Sequence, residues 1–350
     1  MDTSTFNIIQ FIRPHLQQLK PYSTARDDFQ GMAEVFLDAN ENPYPSAFNR
    51  YPDPHQLRLK EKIGLLKKVK TENIFIGNGS DEVIDLLIRL CCEPRKDTIL
   101  TIDPTYGMYE VSAQINGVST IKFPLTESFE LVAEKLISTL DNTVKIIFLC
   151  TPNNPSGNLL NKEEIRKIIR AFKGLIVIDE AYIDFADDEG FLPELGKWPN
   201  LVVMQTLSKA YGLAGLRLGV AFADSAIIGW LNKIKPPYNI SQAAQQHALQ
   251  HLKNAEIIQN QINEIKAERE KLFAKLRMLK IVEKVFPSDA NFLLVRFVHS
   301  RPVYDYLLQK GIIVRDRSSV RHGNNCLRIT IGTPQENKRL IDALQKFNYT

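Results

Sequence analysis

Cysteine is scarce in this chain: four residues in 350, two of them adjacent as Cys91 and Cys92. So few thiols do not make a disulfide framework at this length. No apolar run approaches the roughly 20 residues a helix needs to span a bilayer, and the N-terminus carries no signal-peptide pattern. No membrane partner is indicated, and a cytoplasmic protein is the expectation. Excess charge of one sign is missing as well. The 44 basic and 40 acidic residues leave a net charge of +4, too mild for a nucleic-acid surface. Lys60, Lys62, Lys67, Lys68 and Lys70 cluster, and read as a solvated helix face. There is no internal repeat, no low-complexity segment, no Gly-x-Ser-x-Gly elbow and no Walker loop. His247 and His251 lie four apart on a helical pattern, but no Glu follows His247 and no third ligand is evident, so no metal is expected.

What is present is ordinary globular composition, 44% hydrophobic and 24% charged, at a length that suggests two domains. The first thirty or so residues are polar, broken at Pro14, Pro21 and Gly31, and read as a short helix and an N-terminal arm (1–31). From Asn73 the pattern alternates. β-rich runs fall at Asn73–Ile76, Thr98–Ile102, Ser119–Phe123, Val144–Leu149, Leu175–Ile178, Leu201–Gln205 and Leu218–Phe222. Helical patterns at Asp81–Cys91, Tyr106–Asn116, Phe129–Ser138 and Lys162–Phe172 separate several of them. Near-continuous apolar strands between amphipathic helices predict an α/β fold, a large domain (32–236) with a mostly parallel seven-stranded sheet flanked by helices. Pro236-Pro237 then breaks the chain. A long helical pattern from about Ser241 to Lys280, broken once, precedes strands at Ile281–Phe286, Phe292–Phe297, Ile312–Val314 and Leu327–Ile331. Helices are expected near Pro302–Lys310 and from Pro334. This reads as a smaller α+β C-terminal domain (237–350).

In open α/β sheets ligands sit at the carboxyl ends of strands, and those ends hold the chemistry here. Thr206-Leu-Ser-Lys209-Ala-Tyr-Gly-Leu-Ala-Gly-Leu-Arg217 places a lone lysine after an apolar run. A desolvated lysine loses its proton more easily and can form a Schiff base with an aldehyde. The run Leu175-Ile-Val-Ile178 ends in Asp179-Glu-Ala-Tyr182, 30 positions upstream of the lysine. A strand buried on both faces makes an unpaired Asp179 costly, so it has either a structural partner or a cationic ligand. A strand-end amine and a strand-end carboxylate are what pyridoxal phosphate requires, the one for its aldehyde and the other for its ring nitrogen. Gly77-Asn-Gly79-Ser80-Asp81 opens a helix whose free N–H groups suit a phosphate. A tight turn capped by Ser80 or Asp81 would look the same. Asp81 and Glu82 would repel a phosphate if they pointed at it, so both are expected to point away. Tyr106, after Asp103-Pro-Thr, suits stacking on a flat ring or a place in the core. Cys150-Thr-Pro-Asn153-Asn154-Pro-Ser-Gly157 makes a rigid loop that could hold an amide donor, or a plain turn.

These segments, with Pro21-Tyr-Ser-Thr-Ala-Arg26, Leu37-Asp-Ala-Asn-Glu-Asn-Pro43 and Arg50-Tyr-Pro-Asp53, resemble the fold-type I pyridoxal-phosphate enzymes. Within them they look like the histidinol-phosphate aminotransferases. The resemblance covers nearly the whole chain. It implies that Lys209 is the Schiff-base lysine and proton shuttle, that Asp179 pairs with the pyridine nitrogen, and that Asn154 and Tyr182 bond the ring oxygen. It further implies that Tyr106 stacks on the ring, and that Gly79, Ser80, Asp81, Ser208 and Arg217 hold the cofactor phosphate. Tyr51 is implied to reach that phosphate from a second subunit, hence a homodimer with shared active sites. Arg315 and Arg328 are expected at neighbouring strand ends, gripping the phosphate of histidinol phosphate and the carboxylates of glutamate or 2-oxoglutarate. A surface charge cluster around Arg315, Asp316 and Arg317 is the alternative. Tyr22 is implied to close over the substrate. Rival reactions on the same fold are aromatic transamination and threonine-phosphate decarboxylation.

Overall fold

The computed structural model describes residues 6–22 and 34–348. Seven strands form the large sheet: β1 Ile74–Asn78, β2 Thr98–Asp103, β3 Ser119–Pro124, β4 Val144–Cys150, β5 Leu175–Asp179, β6 Leu201–Thr206 and β7 Leu218–Ala223. Their order is β1-β7-β6-β5-β4-β2-β3. All run parallel except β7, which is antiparallel to both neighbours. Parallel neighbours need a helical crossover, whereas an antiparallel return needs only a loop. The β6–β7 connection is such a loop, so residues 207–217 stay at the carboxyl end of β6 instead of crossing the sheet. The seven runs expected from the sequence are these seven strands.

Period-two alternation sends side chains to opposite faces. Ile147, Leu149, Ile176 and Ile178 join one apolar cluster, while Ile146, Phe148, Leu175 and Val177 join the other. The connection after β2 leads outward to β3, and the one after β4 leads the opposite way to β5. Loops departing in opposite directions leave a crevice between them at the strands' carboxyl ends, the usual ligand position in open sheets.

The second sheet is antiparallel, ordered β10-β11-β9-β8, with β8 Val282–Val285, β9 Phe292–Phe297, β10 Arg315–Asp316 and β11 Cys326–Thr330. One of its faces, with Leu293, Val295, Leu327 and Ile329, forms a cluster of its own with Leu272 and Leu340 from covering helices. The other face contributes Phe292, Leu294 and Cys326 to the cluster of the large sheet. The long helical pattern breaks once, into Gln242–His251 and Ala255–Arg277. Among the described residues no helix is long and apolar enough to cross a membrane.

Three sequence expectations need correction. The strand expected at Ile312–Val314 is instead β10, three residues on, because Gly311 (φ +68°) and the Ile312 N–H to Leu307 O bond end the preceding helix there. The helix expected from Phe129 starts at Ala133; Phe129 sits at φ +63° in a turn and buries its ring. The lysine-rich helix, Leu57–Lys67, is not a uniformly solvated face. Lys60 is only 5% exposed, and burial, then Lys235, pushes its pKa down to about 8. Lys67 pairs with Asp184 at 2.8 Å. A helix at Ser225–Ile234, capped by the Asp224 side chain, was not expected.

Candidate active site

The β5 strand carries Asp179 as its last residue, 3% exposed. Its Oδ1 accepts the Ala181 N–H at 3.0 Å, and its Oδ2 accepts the Tyr109 hydroxyl at 2.5 Å. Burial holds its pKa above the ordinary value, with the Tyr109 bond the largest opposing effect. Tyr109 is fully buried, stacked on Phe148 at 4.8 Å and edge-on to Tyr106 at 5.7 Å. Sequence reasoning fixed on Tyr106 and missed Tyr109. Tyr106 precedes the helix Met108–Ile115 that carries Tyr109, so no local spacing pairs the two.

Lys209 stands on the β6–β7 loop with its ammonium 5.8 Å from the centroid of Tyr182. The dry setting expected for it is only partly met. The residue is exposed on the open cleft, yet partial burial, then the charges of Arg328 and Arg217, lower its pKa, with Asp179 and Asp81 opposing. The loop closes on itself through the Ser208 N–H to Thr206 Oγ1 bond at 3.1 Å, with the two hydroxyl oxygens 3.0 Å apart.

Gly79 precedes the helix Ser80–Cys91, which has no side-chain N-cap. Its φ is +77°, and a Cβ there would lie 2.6 Å from Arg217 Nη2. On β7, a Cβ at Gly219 would lie 2.2 Å from the Ser80 nitrogen. Two glycines thus let β7 and Arg217 approach the helix N-terminus closely. Arg217 itself adopts the left-handed region (φ +54°), a conformation costing on the order of 1 kcal/mol for a non-glycine residue. Its carbonyl accepts the Gly79 N–H at 2.7 Å. Asp81 does not point away from this pocket, as had been expected. Its carboxylate lines the cleft, pairing with Arg217 at 3.2 Å and accepting the Tyr106 hydroxyl at 2.9 Å. The guanidinium thereby offsets the repulsion that the sequence raised. Glu82 does turn away, accepting from the Asn78 N–H and from Asn239 Nδ2.

Asn154 Nδ2 donates to the Tyr182 hydroxyl at 3.4 Å, and Arg328 Nη1 donates to Asn154 Oδ1. Burial raises the Tyr182 pKa, keeping the phenol protonated. Arg328 also lies over the Phe292 ring, 5.3 Å to its centroid. Ser80, Asp81, Tyr106, Asn154, Asp179, Tyr182, Ser208, Lys209 and Arg217 therefore line one cleft. Arg315 is exposed and faces Arg328 across the β10–β11 ladder. Tyr51 does not line this cleft. It is 50% exposed and stacks on Tyr238 at 4.5 Å. Tyr22 is 74% exposed and also stands apart from the cleft lining. Residues 23–26 of its motif lie outside the described residues.

The donor set fits pyridoxal phosphate. An uncapped helix start, two glycine close approaches, a serine pair and an arginine make an anion cradle. A buried carboxylate faces the same cleft as a lysine of lowered pKa.

The family model for aminotransferase class I and II matches residues 26–344. The chain is similar to the histidinol-phosphate aminotransferase of Parabacteroides distasonis, 53% identical over 334 residues that cover 95% of this chain and 97% of that one. Among solved structures it is similar to the histidinol-phosphate aminotransferase of Clostridium acetobutylicum, with a TM-score of 0.79 and 29% identity over 85% of this chain and 90% of that one. It is also similar to the histidinol-phosphate aminotransferase of Sinorhizobium meliloti in complex with pyridoxal-5'-phosphate, with a TM-score of 0.78 and 25% identity over 85% of this chain and 82% of that one.

Proposed function

The chain belongs to the class I and II aminotransferases and, within them, to the histidinol-phosphate aminotransferases, and from that membership we propose the work of each residue in its cleft. The reaction is the pyridoxal-phosphate-dependent exchange of an amino group between L-histidinol phosphate and 2-oxoglutarate, giving imidazole acetol phosphate and L-glutamate. It belongs to histidine biosynthesis, where it runs toward histidinol phosphate. One observation carries this reading: Lys209, Asp179, Asn154, Tyr182, Arg217 and the Ser80 helix start line a single cleft, and Arg328 reaches it from the small sheet.

When bound, pyridoxal phosphate supplies an electron sink for the substrate's Cα. The protein's part is to bind, orient and move protons. Lys209 would take the substrate's Cα proton and return it to the cofactor's C4′ carbon. Its lowered pKa raises the fraction of free base near neutral pH. Asp179 holds a proton at the ring nitrogen, itself held by Tyr109 and the Ala181 N–H. Asn154 and Tyr182, already bonded to each other, would hold the ring oxygen, and Tyr106 would pack against the ring. Ser80, Ser208, Arg217 and the N–H groups at Gly79–Asp81 would hold the cofactor phosphate, Arg217 dividing its donors between it and Asp81. Arg315 and Arg328 hold the substrate's anionic group, and Tyr22 closes over it from the arm.

Val35, Leu37, Tyr44 and Phe48 are exposed apolar residues in one segment. We assign this segment and Tyr51 to a homodimer in which Tyr51 serves the second subunit's cleft. The division into arm (1–31), large domain (32–236) and small domain (237–350) and a cytoplasmic location complete the reading.

The test is spectroscopic. Purified holoenzyme mixed with histidinol phosphate should convert its visible cofactor band to that of the amine form, and phenylalanine should do so far more slowly. Equal rates would make this an aromatic aminotransferase. Release of carbon dioxide from threonine phosphate would make it a decarboxylase.

A further inference from the structure

Arg315 and Arg328 are directly opposed in the β10–β11 register, so their side chains leave the same face of the small sheet. The ladder continues one step beyond β10, the Arg317 N–H donating to the Cys326 carbonyl at 2.9 Å. Two positions after Arg315, Arg317 therefore returns to that face. It is the face whose Phe292, Leu294 and Cys326 pack toward the large sheet, and from which Arg328 reaches Asn154. Arg296, opposite Cys326 in the β9–β11 register, leaves the same face but donates to the His322 carbonyl at 2.8 Å; Arg315, Arg317 and Arg328 are the three guanidiniums grouped on β10, its extension and β11. Like charges opposed across a ladder are destabilising, and among the described residues none of the three forms an ion pair with a carboxylate. Two nearby cations are neutralised: Arg321 pairs with Asp103 at 2.7 Å and Lys122 with Glu110 at 2.6 Å. Asp316, between the arginines, instead accepts the Ser318 N–H at 2.8 Å. The Arg317 Nε, like that of Arg296, is buried with no acceptor, a cost a fold keeps only against some compensation; of the two, Arg317 is the one beside Arg315 and Arg328.

We propose that Arg317 is the third guanidinium of the substrate-anion site and the residue that makes this site favour a phosphate monoester over a carboxylate. The proposal rests on the reading that the cleft takes a phosphate-bearing amine. A carboxylate presents two oxygens and one charge, which one guanidinium meets in a bidentate pair. A phosphate monoester near neutral pH presents three acceptor oxygens and a charge of about −1.5 to −2. The third guanidinium is surplus for the first and matched to the second. Burial, then the charges of Arg328 and Arg315, pushes the Arg317 pKa down to about 10, the direction expected of a cation held beside like charges.

The test uses full-length holoenzyme carrying Arg317→Gln or Arg317→Lys. With Arg317→Gln, kcat/KM for histidinol phosphate should fall roughly 10- to 100-fold, mainly through KM, while kcat/KM for glutamate should stay within about threefold. Arg317→Lys should fall between, since it keeps the charge and loses the fork. Inhibition by inorganic phosphate should weaken with the histidinol-phosphate loss, and inhibition by acetate should not. Equal losses on both substrates, or an unchanged histidinol-phosphate KM, would overturn the proposal. Wild-type enzyme that fails to turn over histidinol phosphate would instead refute the proposed function, and the phosphate-against-acetate comparison would still report on Arg317.

Discussion

Asp179 shows how a buried charge is kept usable. A carboxylate at a sheet's interior end must find donors or lose its charge, and two donors are in place, the Tyr109 hydroxyl and the Ala181 N–H. Removing the first leaves burial less opposed, so the Asp179 pKa rises further above its ordinary value. Tyr109→Phe should therefore retain cofactor while the acid limb of the kcat–pH profile moves to higher pH. Turnover should drop on the order of tenfold, the scale of one hydrogen bond to a charged group. An acid limb that stays put would make Tyr109 a packing residue. Lys209→Ala is expected to remove the visible absorbance of lysine-bound cofactor together with almost all turnover. Turnover retained by that variant would assign the proton transfers to another group.

At the scale of elements, β5 ends in Asp179 and a second acid follows it directly. Glu180, fully buried, accepts the Phe191 N–H and Gln205 Nε2, and burial pushes its pKa up from 4.5 to about 7. As pH rises, the unfolded chain releases this proton near 4.5 and the folded chain holds it to about 7. Proton binding in that window is greater in the folded state, so Glu180's contribution to stability falls between those values and is flat above them. Gln205 Oε1 is buried without a donor, and an amide at position 180 could supply one after the Gln205 amide turns over. Glu180→Gln should flatten the stability–pH curve between pH ~5 and ~7 and raise stability at pH ~8 by about 1–3 kcal/mol. Denaturant titrations at several pH values check this. A variant as pH-sensitive as the parent would place the effect elsewhere.

The whole molecule poses the question of shared sites. Tyr51 stacks on Tyr238 outside its own chain's cleft, so its proposed role needs a second copy. Mixing refolded Lys209→Ala and Tyr51→Ala chains tests it. Random pairing makes half the dimers hybrid, each with one site built from an intact Lys209 and an intact Tyr51, and activity should return to about a quarter of wild type. A mixture no more active than the average of the two separate variants would confine Tyr51 to its own subunit.

Much of this was legible in one dimension because strand ends are local in sequence. An apolar run of five to seven residues with a polar break marks both a buried strand and the place where its chain meets the crevice. That logic picks out Lys209, Asp179, Asn154 and Ser80, and all four line one cleft. Orientation and partnership were not local. That Asp81 turns into the cradle depends on Arg217, 136 positions away. That Lys60 has a lowered pKa depends in part on Lys235, a residue distant in sequence. The placing of Arg317 beside Arg328 and Arg315 follows from β-ladder register, which distant strands set by pairing and no segment encodes alone. Composition and periodicity determined the elements and the chemistry at their ends; only tertiary packing decided which charges face one another, because Coulomb energy depends on distance in space and not on separation along the chain.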